Sequence, residues 1–192
     1  TGGTNVFVGA GAADTGVVTG ASNVGVGYEA LKDLTSATRT VAVGMRALQN
    51  LTTGTATIGI GGNAGELITT GGSNICIGDQ AGALFDTESD NMFIGANSGK
   101  GNIAGAEYNV GIGNNTLDAL TSGDNNVAVG YNAGTGITTG ASNTFLGHAA
   151  GKIVSTASNN VAIGADALDN ADTENHNIAI GRAALGGAVA GG

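Results

Sequence analysis

One short stretch of the sequence has the residue types of a nucleotide-binding turn. NVGVGYEAL at 23–31 places Gly25, Gly27 and Ala30 in a Gly-x-Gly-x-x-Ala arrangement directly after an apolar pair. In dinucleotide-binding proteins such glycines let the backbone approach a pyrophosphate, and the turn occurs once, before a long helix. Here the same local pattern recurs along the chain, and no segment has room for that helix. A repeated scaffold is therefore the better interpretation of this stretch.

Other side chains with catalytic potential are few. His148 and His176 occupy different repeat positions and have no cysteine or carboxylate at a meaningful spacing, so we expect both on the surface. Cys76 is the single cysteine and cannot form an intrachain disulfide. We expect it to be a buried small hydrophobe, the alternative being an interchain disulfide between symmetry copies. A carbohydrate-active enzyme would need carboxylates clustered on one face. None can be assembled, so no enzymatic activity is predicted.

Two acidic segments and a series of threonine pairs are the remaining candidates for a binding site. DTESD at 86–90 and DALDNADTE at 166–174 could bind Ca²⁺, but they match neither an EF-hand loop nor a calcium-binding β-roll. We expect solvated loops and no cofactor, with Ca²⁺ at these loops as the alternative. The threonine pairs could form an ice-binding face, but Ala104 and Asp172 interrupt their column, so turn chemistry explains them.

The composition excludes several classes of protein. The net charge is −9 with only six Lys and Arg, which argues against nucleic-acid binding. No apolar run approaches the ~18 residues of a membrane helix, so membrane insertion is not expected. The 37 glycines without any proline exclude collagen, and 41% hydrophobic residues at regular spacing argue against disorder.

The elements that position all of these residues belong to an eleven-fold repeat. Each copy contains a pentapeptide such as NVAIG that closes on a glycine, and successive closing glycines are 17 residues apart, or 18 in two copies. A small residue follows three positions after the glycine, Gly or Leu four positions after it, and an apolar residue seven positions after it. In the two 18-residue copies the apolar residue slips to Val17 and Ile103. The closing glycines are Gly9, Gly27, Gly44, Gly61, Gly78, Gly95, Gly113, Gly130, Gly147, Gly164 and Gly181.

This repeat predicts an all-β fold, a parallel β-solenoid or β-roll that forms a single repeat domain over residues 1–192. Each copy should supply a short strand, a glycine corner, a second short extended segment and a turn, and stacked copies would bury a continuous core. Ten steps of about 4.8 Å give a rod about 50 Å long. In-register stacking also predicts an internal amide ladder. Its members are Asn5, Asn23, Asn74, Asn91, Asn109, Asn126, Asn143, Asn160 and Asn177, with Thr40 and Thr57 in the two other copies.

The middle residue of each pentapeptide defines a second column, here named the central column. We expect the flanking Val and Ile residues, such as Val24 and Val26, to point into the coil. The central column is apolar throughout and mostly Gly or Ala, which favours close packing of copies of the chain around the axis of a homo-oligomer, a trimer above all. The alternative is a flattened monomeric coil in which this column packs on the opposite wall. The column comprises Phe7, Gly25, Ala42, Gly59, Cys76, Phe93, Gly111, Ala128, Phe145, Ala162 and Ala179.

The repeat resembles two related groups of fibrous proteins. SNNVAIGADAL at 158–168 looks like the head repeat of YadA-like trimeric autotransporter adhesins. The longer NNVAVGYNAGTGITTGASNTFLGHAAG at 125–151 is similar to glycine-rich repeats of bacteriophage tail fibres and tailspikes. The 17-residue period departs from the shorter adhesin coil, and none of the 192 residues is expected to form the C-terminal chaperone common in such fibres. The shared positions are scaffold, so no binding residues are carried over.

These observations together predict a structural and adhesive protein. The resemblance implies a phage tail fibre shaft or receptor-binding head for host attachment, with a bacterial surface adhesin or secreted filament subunit as the alternative. The expected partners are further copies of the chain and a host cell-surface receptor or glycan. The expected location is the virion or the cell exterior. The glycine-rich start and end are those expected of a fragment of a longer chain.

Overall fold

The computed structural model describes residues 3–102, 104–170 and 173–187, and they form the predicted all-β parallel solenoid. One three-residue strand comes from each repeat, and the eleven strands form one sheet in chain order, from β1 to β11. Each strand lies inside one of the predicted pentapeptides. The strands are Val6–Val8, Val24–Val26, Val41–Val43, Ile58–Ile60, Ile75–Ile77, Met92–Ile94, Val110–Ile112, Val127–Val129, Thr144–Leu146, Val161–Ile163 and Ile178–Ile180.

Neighbouring strands pair in parallel with each residue beside its equivalent in the next repeat. Phe93 of β6 pairs with Gly111 of β7, although these two residues are 18 apart, just as Ala162 pairs with Ala179 across a 17-residue step. The extra residue of a longer repeat therefore lies outside the strand. As a result, columns of equivalent strand residues run unbroken along the molecule.

The closing glycines turn the chain at the end of each strand. Their φ angles lie between +119° at Gly181 and +142° at Gly147, a region that side chains rarely allow. A Cβ on Gly27 would lie 2.3 Å from the carbonyl oxygen of Gly44 in the next coil. Glycine is required at this corner for both reasons. The packing of the next coil therefore accounts for Gly27 without a nucleotide-binding role.

The wall opposite the strand is built from turns. In the second repeat, Glu29 and Leu31 both have left-handed φ angles, of 54° and 52°, so YEALKDL does not form a helix. Backbone hydrogen bonds to the next coil hold this wall, such as the N–H of Leu31 to the oxygen of Ala47 at 3.1 Å. The prediction of a second short extended segment is thus wrong, since each coil has one strand within the described residues. Ile103 lies outside them.

The predicted orientation of the strands is also wrong. The central column points into the coil, where Ala42, Cys76 and Phe145 have no exposed surface. The flanking residues, predicted to lie inside, point outward, with Val26 36% and Val43 38% exposed. The assignment of the central column to an axis between chains is corrected accordingly. Its side chains pack within one chain, as in the alternative of a coil whose strand packs on its own opposite wall.

Volume compensation across the coil explains why the central column is small. Where it carries Phe93 or Phe145, the left-handed position on the opposite wall is Gly99 or Gly151, and a Cβ on Gly151 would meet the Phe145 ring at 2.6 Å. At Gly25 a leucine of the opposite wall fills the space, and at Gly59, whose opposite position is Gly65, Leu48 of the preceding coil does so. Large side chains enter the core from either wall or from a neighbouring coil, and the packing stays dense.

The asparagines predicted to form a ladder are stacked along the strand entrance. The side-chain oxygen of Asn143 accepts hydrogen bonds from the backbone N–H of Asn160 at 3.0 Å and from its amide at 3.1 Å. The Asn143 amide donates to the oxygen of Ala157 at 2.9 Å. Thr40 and Thr57 separate an upper pair of asparagines from a run of seven. Because these amides are buried, their hydrogen bonds offset the cost of removing them from water.

Candidate functional site

The outward side of the sheet carries a continuous apolar surface. It is formed by the first and third residue of each strand, which we name the aliphatic face. Eleven strands supply 22 such positions, and Thr144 is the one polar residue among them. The other members are Val6, Val8, Val24, Val26, Val41, Val43, Ile58, Ile60, Ile75, Ile77, Met92, Ile94, Val110, Ile112, Val127, Val129, Leu146, Val161, Ile163, Ile178 and Ile180.

Much of this surface is open to solvent in the single chain. Ile112 is 37% exposed and Leu146 47%, and the values rise to 69% at Ile178. If each of the 21 apolar side chains leaves roughly 50 Å² accessible, the face amounts to on the order of 1,000 Å². Soluble monomers usually leave only a few hundred Å² of apolar surface in one patch, and larger patches mark interaction sites.

The chemistry of the face suits packing against another apolar surface. It contains no charged residue and a single hydroxyl, that of Thr144. The backbone behind it is fixed by inter-coil hydrogen bonds, such as those from the N–H of Gly78 to the oxygen of Ile60 at 2.7 Å and of Gly95 to Ile77 at 2.7 Å. The arrangement is a rigid, narrow strip with the Thr144 hydroxyl as its single directional polar group, made of residues that the sequence pattern alone would place inside the coil.

Cys76 lies in the core and faces its own coil. Burial raises the pKa of its thiol from 9.0 to about 12. A Cβ on Gly82, in the same coil, would approach the sulfur to 2.6 Å, so the thiol fills the space that this glycine leaves. The interchain disulfide considered from the sequence cannot form in this position, while the expected buried small hydrophobe fits.

His148 lies on the surface and has two neighbours. Its ring stacks on Tyr131 with centroids 5.7 Å apart, and its Nδ1 is 3.6 Å from Oδ1 of Asp166. The sequence analysis did not predict this contact. Residues 148 and 166 are separated by one 17-residue coil plus one residue, so they lie on adjacent coils. His176 is also exposed and has a left-handed φ of 63°.

The acidic segment at 86–90 folds into a self-capped loop. Glu88 is 5% exposed, and its carboxylate accepts hydrogen bonds from the N–H groups of Asp86 at 2.9 Å, Thr87 at 3.1 Å and Gly105 at 2.9 Å. These contacts engage both oxygens of the Glu88 carboxylate. In the described part of the chain no three His, Cys, Asp or Glu side chains are grouped as metal ligands. Asp172, part of the second acidic segment, lies outside it.

A charged cluster at the turns joins neighbouring coils. The carboxylate of Glu29 accepts hydrogen bonds from Lys32 at 3.1 Å, Arg46 at 3.2 Å and Gln49 at 2.9 Å. The hydrogen bond from Lys32 is the main cause that lowers the pKa of Glu29. Because water and salt screen charge pairs at the surface, the cluster contributes little to stability.

The threonine pairs are used by the scaffold. The hydroxyl of Thr52 donates to the backbone oxygen of Thr69 at 3.0 Å, and that of Thr121 donates to Thr138 at 2.9 Å. The first threonine of these pairs therefore links adjacent coils, as expected from turn chemistry.

Comparison with known proteins returned no matching family model, no similar curated protein and no similar solved structure. Among the described residues there is no helix with the length and apolarity needed to cross a membrane.

Proposed function

We propose that this chain is a structural segment of a fibre, in which three copies pack their aliphatic faces around a common axis. The single observation that carries the proposal is the aliphatic face itself, with 21 apolar side chains aligned along eleven strands. Leaving it in water is costly, at about 25 cal/mol per Å² of apolar surface.

The area of the face is sufficient for a stable interface. A typical specific interface buries about 800 Å² on each partner, and the face offers on the order of 1,000 Å². The apolar composition of the face also favours assembly, because permanent homo-oligomer interfaces are more apolar than the rest of a protein surface.

A second copy of this chain fits the face better than an unrelated partner does. The face repeats every coil over a length of about 50 Å, and a parallel copy repeats with the same step. Three copies around an axis parallel to the rod can each turn the whole strip inward. That arrangement is closed, so it gives a discrete rod with no aliphatic strip left for further growth.

Such a rod would act mechanically. Its backbone ladders and buried core resist bending and proteolysis, and the turn residues that differ between repeats are free to contact a receptor. We propose a bacteriophage tail fibre segment for host attachment, with a bacterial surface adhesin as the alternative. The neighbouring genes distinguish the two, since tail genes favour the first and an outer-membrane anchor the second.

Light scattering coupled to size-exclusion chromatography tests the assembly. The chain should elute at three times 18.3 kDa, or about 55 kDa. The double variant V43K/I60K places two ammonium groups on neighbouring strands of the face and should yield monomer. Its matched control, T53K/T70K, places two lysines at exposed turn positions on the same two coils and should keep the wild-type mass.

Circular dichroism establishes that both variants retain the β-fold. A monomeric wild-type chain would overturn the proposed assembly. A dimer would retain the aliphatic face as the interface but overturn the three-fold arrangement. Equal masses for the two double variants would show that another surface holds the copies together.

A further inference from the structure

A second apolar feature lies on the turn side of the coil, away from the sheet. It is formed by the residue six positions after the closing glycine, or seven in the 18-residue repeat. In four consecutive coils this column reads Asn50, Leu67, Leu84 and Asn102. The two leucines are 39% and 38% exposed, so aliphatic side chains point to solvent between two amides.

The fold does not require leucine at this position. In other coils the column carries Asp33, Ala119, Gly136, Ile153 and Asn170. Residues so different in size and polarity show that the position is free of core packing. Leu67 and Leu84 are therefore not required by the core.

The four residues form the floor and ends of an open groove. Its volume is about 400 Å³, and Thr69 and Asp86 line one side of it. Four coils at about 4.8 Å spacing make the row roughly 14 Å long. The groove thus combines an apolar floor with amides at both ends and a carboxylate along the rim.

We propose that this groove binds a neutral oligosaccharide, with two or three pyranose rings lying along the rod. The inference rests on the proposed adhesive function and names a receptor chemistry for it. The C–H-rich face of a pyranose packs on Leu67 and Leu84. The amides of Asn50 and Asn102 each offer a donor and an acceptor to hydroxyl groups, and Asp86 accepts from them.

The rim is held in place before any ligand arrives. Glu88 caps the loop by accepting from the N–H groups of Asp86 and Thr87. Oδ1 of Asp86 accepts a hydrogen bond from the hydroxyl of Thr69. The Asp86 carboxylate is therefore held by the Thr69 hydroxyl, and its backbone is held by Glu88. Such preorganisation reduces the entropy lost on binding.

Charge and backbone pairing argue against two other classes of ligand. An anionic glycan would meet Asp86 in a chain of net charge −9. A peptide that binds by strand addition needs unpaired backbone groups. Along this groove the N–H groups of Asn50, Leu67 and Thr69 already donate to the next coil, at 3.1, 3.2 and 2.8 Å.

Methyl NMR of leucine-labelled protein tests the proposal with four neutral trisaccharides, namely maltotriose, cellotriose, mannotriose and chitotriose. At least one should shift the methyl signals of Leu67 and Leu84, with an affinity on the order of 1 mM because the groove is shallow. In the double variant L67N/L84N, calorimetry should show binding at least about tenfold weaker, since the apolar floor is lost.

Asparagine already occupies this column at Asn50 and Asn170, so L67N/L84N should fold. The matched control I153N replaces an exposed aliphatic residue of the same column outside the groove, and it should bind like the wild type. The proposal is overturned if none of the four sugars shifts the two leucines, or if L67N/L84N binds as tightly as I153N. Neither variant alters the aliphatic face, so the oligomeric mass reports separately on the proposed fibre assembly.

Discussion

At the scale of single residues, the closing glycines meet two requirements that can be separated. One is the left-handed φ, and the other is the close approach of the next coil. Gly164 has both, with φ of 128° and a Cβ that would lie 2.6 Å from the oxygen of Gly181. Gly181 has a similar φ of 119°, but a Cβ added to it would have no atom within 4 Å among the described residues. This pair distinguishes backbone strain from collision.

We expect Gly181→Ala to destabilise the protein by about 1–3 kcal/mol, the usual cost of a residue in a strained conformation. Gly164→Ala should cost more, because the backbone must also move away from the added methyl group. Urea unfolding followed by circular dichroism measures both. Equal shifts of the urea midpoint would show that the close approach of the next coil adds nothing to the cost of the substitution.

The buried thiol of Cys76 makes stability depend on pH at the alkaline end. Its pKa is about 12 in the folded chain, whereas the unfolded chain ionises near the ordinary value. The folded state therefore holds the proton more tightly. This contribution is complete below about pH 9 and is lost as the pH rises toward 12, to a total of about 4 kcal/mol.

Comparison with Cys76→Ala isolates that contribution, since alanine occurs elsewhere in the central column. Between pH 8 and pH 10.5, the wild type should lose about 2 kcal/mol more unfolding free energy than the variant. Urea titrations at the two pH values give the difference. Parallel losses would mean that the thiol is hydrated in the folded state.

At the scale of one coil, a large residue on one wall is matched in several coils by a small residue on the other. Phe145 faces Gly151, and the buried residues Ala162 and Leu168 occupy the equivalent two positions in the next coil. The pair Ala162 and Leu168 should therefore be convertible into the Phe–Gly arrangement. Glycine also suits the left-handed φ of 51° at Leu168.

A double-mutant cycle measures this compensation. Ala162→Phe alone should cost about 1–3 kcal/mol through overpacking, and Leu168→Gly alone about 2–5 kcal/mol through the cavity it leaves. The double variant should be at least about 1 kcal/mol more stable than the sum of the two effects predicts. Additive costs from urea unfolding would contradict this compensation.

The same coil shows what the sequence could and could not predict. The period, the corner glycines and the strand positions all follow from the repeat. The direction of the strand does not, because Val24, Gly25 and Val26 are all apolar and alternation gives no contrast between the two sides. One pattern in the sequence could decide the strand direction, namely that a large residue at Phe93 is accompanied by glycine at Gly99, six residues later. This pairing can be interpreted only once the structure shows that the two walls face each other.

At the scale of the whole molecule, the observed strand direction changes which residues form the proposed contact between chains. The contact is now assigned to the aliphatic face and no longer to the central column. Small central residues no longer require a symmetry axis, because the leucines of the opposite wall account for them. Gly111→Leu would accordingly damage the fold of one chain, since its Cβ would already lie 2.8 Å from the hydroxyls of Ser98 and Thr116. The outward Val and Ile residues now carry the proposed assembly, and V43K/I60K is the variant that tests it.

The leucine groove could not have been recognised from the sequence alone. Leu67 and Leu84 look like ordinary apolar residues one position before the buried Ile68 and Phe85. Alignment of the repeats identifies the apolar position seven residues after the closing glycine as the one that enters the core, but the groove that Leu67 and Leu84 line depends on the path of the turn.

The in-register pairing of β1 to β11 also has a consequence for how such a molecule can change in evolution. Each strand contacts only the strands before and after it, and all coils present the same strand pattern. Duplication or loss of one 17-residue unit by unequal recombination would leave every remaining neighbour pair of the same kind. The length of the rod would change by one step of about 4.8 Å, so the number of repeats in the gene determines the length of the rod.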